Sequence, residues 1–250
     1  MFKIMGDYHT HTTYSHGKGS ILENVIEARR QGLSEIAITD HGPEHFTFGV
    51  RRDDFKRMKE EIDQINASSQ GIKVLFGVEC NIVSGDGTID IDDRMLDMMD
   101  FVIAGFHMLS KMRNFSDYVN FYARHYSARL IKPMTQTNID INTRAIVEAM
   151  KKYPIGFISH PSARMSVDIV EVAKVAAATG TYLEINEKGN ELSVQDIVRS
   201  KELGARFIIN SDAHRVDAVG RVEKSVALAE AAGLTMDDIV NVGKLPTFRR

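Results

Sequence analysis

The stretch Lys3-Ile4-Met5-Gly6-Asp7-Tyr8-His9-Thr10-His11 is a short apolar run that ends in two histidines one residue apart. Its design recurs along the chain. Strand-like runs rich in Ile, Val and Phe cover residues 2–8, 35–39, 73–79, 101–106, 156–159, 181–186 and 206–210, as buried parallel strands should read. Between them apolar residues fall at helical spacing: Ile21, Val25, Ile26 and Ala28; Phe55, Met58, Ile62 and Ile65; Ile146, Val147 and Met150; Ile169, Val170, Ala173 and Ala177. Ser20-Ile21-Leu22-Glu23 has the form of a capping box, and Gly32, Gly180, Gly204 and Gly233 stand where helices stop. Seven β-then-α units predict a parallel sheet. Seven strands exceed what a small Rossmann half uses, so the expected fold class is α/β, a TIM-like barrel closed or nearly closed on itself. No repeat, low-complexity tract or linker interrupts the pattern, which predicts one domain over residues 1–250.

The ends of these runs carry the chemistry. His9 and His11, then His16, His41, Glu79, His107, His160, Asp212 and His214 all lie at or just past a strand end. In parallel α/β folds that is where ligands bind. Side chains two apart on a strand share a face, so His9 and His11 should point together, as should Asp212 and His214, with Tyr8, Thr10 and Ala213 turned away. A lone histidine at a strand end is ordinarily a hydrogen-bonded core or surface residue. Seven imidazoles and two carboxylates recurring across six elements are too many for one metal ion and suit three. Imidazole with carboxylate and no thiolate fits Zn²⁺, with Mn²⁺ or Fe²⁺ as alternatives, and disfavours Ca²⁺. His45 and His125 lack this placement and fall outside the ligand set. Cys80, the single cysteine, reads as a small buried thiol turned away from Glu79.

The bulk numbers narrow the class further. A chain that is 43% hydrophobic and 26% charged is neither disordered nor membrane-like. A net charge of -3 and the lack of a basic stripe argue against long nucleic acid as a partner. No apolar run approaches the roughly 18 residues of a membrane span. Ligand-type residues begin at Asp7, leaving no room for a signal peptide, and one cysteine forms no intramolecular disulfide; a cytoplasmic protein is expected. The least regular stretch, residues 108–142, holds Tyr118, Phe121, Tyr122, Arg124, Tyr126, Arg129 and Lys132, and is expected to form a helix or two and a loop on the catalytic rim. The oligomeric state is open.

The motifs His9-Thr10-His11, Ile38-Thr39-Asp40-His41-Gly42, Gly77-Val78-Glu79, Ala104-Gly105-Phe106-His107, Ile158-Ser159-His160-Pro161 and Ser211-Asp212-Ala213-His214 resemble the PHP superfamily, named for polymerase and histidinol phosphatase. The resemblance runs from about Lys3 to about Ala231 and points to the small stand-alone phosphatases with three zinc ions. It implies a distorted (βα)7 barrel. It also implies a grouping: His9, His11, Glu79 and Asp212 on one metal; Glu79 bridging to a second with His107 and His160; His16, His41 and His214 on the third. Every ligand position of the family is filled, which implies an active site rather than a relic.

The expected reaction is hydrolysis of a small phosphomonoester by in-line attack of metal-bound hydroxide on phosphorus. Glu79, Asp212 and His214 are the residues assigned to catalysis, and no protein nucleophile is required. Ser15 and Ser211 lie nearby, but turn or cap roles suit them better. Asp7, Asp40, Glu184 and Asn186 are candidates to orient the imidazoles, and Arg164 and Arg215 to hold the phosphate bidentately. Three other readings stay open. One is a phosphodiesterase or exonuclease. Another is an amidohydrolase-type C–N hydrolase, against which Glu79 at the bridge position argues. The last is a non-catalytic, metal-stabilised binding module.

Overall fold

The computed structural model describes residues 2–68, 71–123, 136–189 and 191–249. His125, Arg124, Tyr126, Arg129 and Lys132 lie outside the described residues. Helices and parallel strands alternate: β1 (Gly6–Asp7), α1 (Ile21–Arg30), β2 (Glu35–Ile38), α2 (Asp54–Ala67), β3 (Lys73–Phe76), β4 (Glu79–Asn81), α3 (Asp93–Met98) and β5 (Val102–Gly105). After a short helix α4 (Phe115–Asp117) and a wide π-type turn (Tyr118–Ala123) come α5 (Gln136–Lys152), β6 (Ile155–Ile158), α6 (Ile169–Thr179), β7 (Tyr182–Asn186), α7 (Val194–Glu202), β8 (Phe207–Asn210) and α8 (Glu223–Ala231).

The strands pair in parallel, β1-β2-β3 and β4-β5-β6-β7-β8. The single strand read over residues 73–79 is β3 followed by an irregular step to Glu79, where β4 begins and runs on to Asn81. Gly77 N–H still donates to Ile38 O (2.9 Å) and Glu79 N–H to Asp40 O (3.0 Å), while Val78 O accepts from Ile103. The irregular pair Gly77-Val78 shifts the ladder and carries Glu79 into the mouth. At the other seam a parallel bridge joins Thr10 to Ala213, with His11 N–H donating to Ala213 O at 2.9 Å. Lower down, side chains replace the ladder: Tyr8 N–H donates to Asn210 Oδ1 (2.9 Å), and Asn241 Nδ2 to Gly6 O (3.0 Å) and Ile209 O (2.7 Å). The architecture is a distorted TIM-like barrel. β1 is shorter than the run over residues 2–8 suggests because Ile4 instead bridges antiparallel to Val242 near the C-terminus.

The helices close where the local chemistry dictates. Ser20 and Glu23 form the expected capping box on α1, and Gly180 ends α6 in the left-handed conformation at φ 74°. Ile21, Val25 and Ala28 are buried, as are Phe55, Met58, Ile62 and Ile65. Ile26, read into the first of these faces, is 48% exposed. An outer apolar layer packs helices against strands. A second cluster of Tyr8, Ala37, Leu75, Phe101, Ile103, Phe157, Tyr182, Ile208 and Val240 fills the barrel interior. Among the described residues no helix is long and apolar enough to cross a membrane.

Candidate metal centre

Above that interior cluster, on the carboxyl side of the strands, lies a cavity of about 480 Å³. Glu79, at the start of β4, stands at its centre. Its Oε1 lies 3.2 Å from His9 Nε2, 3.1 Å from His107 Nε2 and 3.0 Å from His160 Nε2. Its Oε2 lies 3.0 Å from His41 Nδ1 and 3.5 Å from His11 Nε2. Asp212 Oδ1 sits 3.3 Å from His11 Nε2, 3.7 Å from His9 Nε2 and 3.3 Å from His214 Nδ1. His16 completes the ring, with centroids 4.1 Å from His214 and 4.9 Å from His41. The structure thus brings together all nine residues picked out from the sequence.

Their donor atoms are what a metal site requires. Three sets place their ligand atoms within 4.8 Å of one another: His11, His16, His41 and His214; His9, His11 and Asp212; His41, Glu79 and His107. Bonds of about 2.0–2.2 Å at tetrahedral angles separate neighbouring ligand atoms by roughly 3.4 Å, close to the separations around Glu79 and Asp212. Buried polar atoms are almost always hydrogen-bonded. Here His9 Nε2, both nitrogens of His11 and of His107, His16 Nδ1, His41 Nδ1, Glu79 Oε2 and Asp212 Oδ1 are buried without a hydrogen-bond partner among the described residues. Orphaned atoms on seven residues of one cluster, each able to offer one ligand atom, fit divalent cations. His11 and His41 each face two of these sets, so the clusters are more interlocked than the implied grouping.

The electrostatics point the same way. Burial would raise the pKa of Glu79, but His107, His9 and His41 pull it well below the usual carboxylate value. Asp212 is likewise held low against burial by His9 and His11. Burial, reinforced by neighbouring imidazoles, pushes His11 well down and His16 to about 3. Burial also pushes His107 to about 4 despite Glu79, and lowers His214. Neutral imidazole and ionised carboxylate are the ligand forms of both side chains. His9 goes the other way: burial opposes its charge, but Glu184, Glu79 and Asp212 outweigh it and raise its pKa. Glu79 raises His160 in the same manner.

Supporting contacts fix this geometry. Glu184 on β7 accepts from His9 Nδ1 (2.8 Å), His160 N–H (2.7 Å), Asn186 Nδ2 (2.9 Å) and Asn210 Nδ2 (3.0 Å). Asn186 also reaches Asp212 Oδ2 at 3.3 Å. Asp40 turns from the cavity and accepts from Thr12 N–H, Thr12 Oγ1 and Ser15, which pins the loop bearing His16. Asp7 accepts from Ser211 and Gly220, and so holds the segment bearing Asp212 rather than an imidazole. Ser15 and Ser211 are therefore committed as donors to buried carboxylates. His160 at φ 31° and Asp212 at φ 51° occupy the left-handed region, a conformation that costs about 1–3 kcal/mol and clusters at functional sites. Asp212 and His214 consequently meet through a turn, not through strand alternation. Alternation fails at the other end too, since Tyr8, expected to turn away, belongs to the cluster that fills the barrel interior.

Arg164 lines the cavity. Arg215 does not: its guanidinium pairs with Asp217 at 2.9 and 3.0 Å and borders a separate hollow with Lys18 and Glu27. Lys188 and His45 are among the cavity residues that the sequence reading left out of the site. Lys188 places Nζ 3.0 Å from both ring nitrogens of His214, and Asn186 Oδ1 accepts from the Lys188 and Gly189 N–H groups to turn the loop inward. His45, set aside earlier, is buried in the cavity wall, where burial and His41 push it down to about 4.

Convergent buried imidazoles and carboxylates at the carboxyl mouth of a parallel barrel define a metal-dependent hydrolase. The PHP domain model matches residues 7–188. A probable phosphatase of Thermoanaerobacter sp. strain X514 is 31% identical over 98% of this chain and 94% of its own length. The chain belongs to the PHP family. It is also similar to the DNA polymerase/3'-5' exonuclease of Bacillus subtilis strain 168, at 29% identity over 97% of this chain and 40% of that protein. Among solved structures, histidinol phosphate phosphatase from Lactococcus lactis, complexed with zinc, L-histidinol and phosphate, superposes with a TM-score of 0.59 at 20% identity, covering 98% of this chain and 97% of that one. That likeness concerns the fold.

Proposed function

We propose that the protein is a metal-dependent phosphoesterase that hydrolyses small phosphomonoesters. In this reading residues 1–250 act as one catalytic domain, in the cytoplasm, with three divalent transition-metal ions, zinc foremost. The observation that carries it is the convergence on one cavity of orphaned ligand atoms from His9, His11, His16, His41, His107, Glu79 and Asp212. His160 and His214 complete the set through Glu79 and Asp212. The probable-phosphatase relative, matched along nearly its whole length, supports the phosphoester class.

Divalent ions, when bound, supply Lewis acidity and a water acidic enough to ionise near neutral pH. The chain's own groups do the rest. Glu79 and Asp212 hold negative charge between the imidazoles and keep them in place. Glu184 fixes the tautomer and direction of His9. Arg164 and Lys188 face the cavity from its rim, where they suit phosphoryl oxygens. The exonuclease relative keeps phosphodiester cleavage as the second reading.

Elemental analysis of purified protein, followed by hydrolysis of p-nitrophenyl phosphate, bis(p-nitrophenyl) phosphate, amides and lactones with Zn²⁺, Mn²⁺ or Fe²⁺, tests the proposal. Transition metal near three per chain and preference for the monoester are expected. Diester preference would favour the second reading. Metal without phosphoester turnover would make the chain a binding module.

A further inference from the structure

We propose that His45 is a substrate-contacting residue, a neutral imidazole locked with its proton on Nε2, which donates a hydrogen bond to an oxygen of the phosphoester and ligates no metal. The inference rests on the phosphoesterase reading and adds a residue to it. The lock is made of backbone. Nδ1 of His45 faces the N–H groups of Thr47 at 3.3 Å and Phe48 at 3.2 Å. A ring nitrogen that accepts from two N–H donors carries no proton, and neutral imidazole has one proton to place, so it sits on Nε2. Neither nitrogen then has a lone pair to offer a cation. Nδ1 has spent its own on the backbone, and that of Nε2 is replaced by a proton. This separates His45 from His41 and His107, which line the same cavity and keep buried ring nitrogens without a hydrogen-bond partner among the described residues.

The ring cannot readily leave this pose. It stacks on His41, with centroids 5.3 Å apart, and lies 5.1 Å from Phe48. The loop behind it is clamped. His45 bridges antiparallel to Ser110; Phe46 N–H donates to Leu109 O at 2.9 Å, Lys111 N–H to Glu44 O at 2.7 Å, and Gly49 N–H to His45 O at 2.9 Å. A Cβ on Gly49 would strike the carbonyl oxygens of His45, Pro43 and Gly42 at 2.7–2.9 Å, so the turn admits no larger residue. With Nδ1 turned to the loop, the ring edge left to the cavity bears Nε2, which has no partner among the described residues. An uncharged donor there complements the cations Arg164 and Lys188, which line the same cavity.

Two measurements decide it. Long-range ¹H–¹⁵N correlation of histidine side chains in metal-free protein should show His45 in the Nε2–H form; an Nδ1–H signal would overturn the proposal. His45→Ala should keep the wild-type metal content per chain. It should weaken inorganic phosphate binding to the metal-loaded protein, and kcat/KM for p-nitrophenyl phosphate, by about 10- to 30-fold, as loss of one buried donor implies. His45→Gln, whose amide can donate, should recover part of both. Loss of metal from His45→Ala, or unchanged phosphate affinity, would overturn the assignment. Failure of the wild-type protein to turn over any phosphoester would sink the parent reading alone, because phosphate titration reads the contact without catalysis.

Discussion

The two ends of the barrel interior are built on opposite rules. Beneath the site, Phe101 stacks on Phe248 at 4.1 Å, Tyr8 meets Phe248 at 5.3 Å, and Phe157 and Tyr182 close the cluster. Polar atoms there have partners: Tyr8 OH donates to Glu35 (2.8 Å) and Tyr182 OH to Thr247 O (2.6 Å). Some ångströms above, across the His9–Phe157 contact, buried nitrogens and carboxylate oxygens face one another unpaired. Unpaired buried polar groups destabilise a fold. The floor and the helix layer therefore hold together a mouth that opposes folding until cations arrive, and removing a group from each end should have opposite consequences.

The largest effect is expected from Glu79→Ala. Loss of the carboxylate that touches His9, His41, His107 and His160 should cost metal content and lower kcat/KM for p-nitrophenyl phosphate by at least about 10³-fold, beyond the 10–100-fold typical of outer contacts. The metal-free variant should still fold, as read by circular dichroism. Retained metal at wild-type stoichiometry would contradict the central place given to Glu79. Phe248→Ala attacks the floor instead. Truncating a partly buried aromatic plug should cost about 2–3 kcal/mol in urea unfolding, below the 3–5 of a fully buried Phe. Per-molecule activity should be unchanged at low temperature; a matching fall in kcat would mean that the two ends are coupled. Glu184→Gln lies between them. It keeps the shape but loses the charge that orients His9, so a 10–100-fold fall in metal affinity or activity is expected, with little change in unfolding.

Much of this contrast was legible in the sequence, for a physical reason. Histidine and carboxylate are chemically singular, and a strand end is a place that periodicity can find, so His9 through His214 could be collected before any coordinates. What failed depended on long-range or very local competition. Asn241, 32 residues beyond Ile209, stitches β8 to Gly6, and nothing in the pattern of residues 234–249 announces it. The left-handed turn at Asp212 breaks the alternation rule used to pair it with His214. Lys188 follows no motif; only the Asn186 side chain, bonding the next turn, brings it over His214. Arg215 follows its motif closely but has Asp217 two residues on, and a local ion pair needs no loop closure.

That last pair gives a sharper test of the rim. Arg164→Ala should raise KM for phosphomonoesters about tenfold, in line with loss of one charge-assisted contact, with kcat little changed. Arg215→Ala should leave KM as it is, because its side chain faces Asp217 and not the cavity. Equal effects would place the substrate over both hollows.

The pH response of the metal-free protein distinguishes the two ends most finely. His45 and His107 are pushed down to about 4 and His16 to about 3, in each case by burial first. Between these values and the ordinary imidazole value near 6.5, the unfolded chain binds protons that the folded chain does not. Stability should therefore fall as pH drops through that window. His9 and His160, raised by carboxylates, run the other way: their contribution is full in acid and fades as pH rises through their folded-state pKa values. Asp90, buried and pushed up to about 6, likewise favours the folded state as it protonates below that value. Asp7 and Asp40, raised by burial, act in the same sense as Asp90. Against them stand five depressed imidazoles, because burial also lowers His11 and His214, whereas the low Glu79 and Asp212 add to the acid loss only below the ordinary carboxylate range. Urea midpoints should accordingly decline from pH 6.5 towards pH 4.5. His45→Gln removes one titrating group, so it should flatten the decline by at most about tenfold in the unfolding constant per pH unit. Phe248→Ala, which alters no charge, should shift the whole curve down without changing its slope. A changed slope in Phe248→Ala would mean that loosening the floor lets water in to the imidazoles above it.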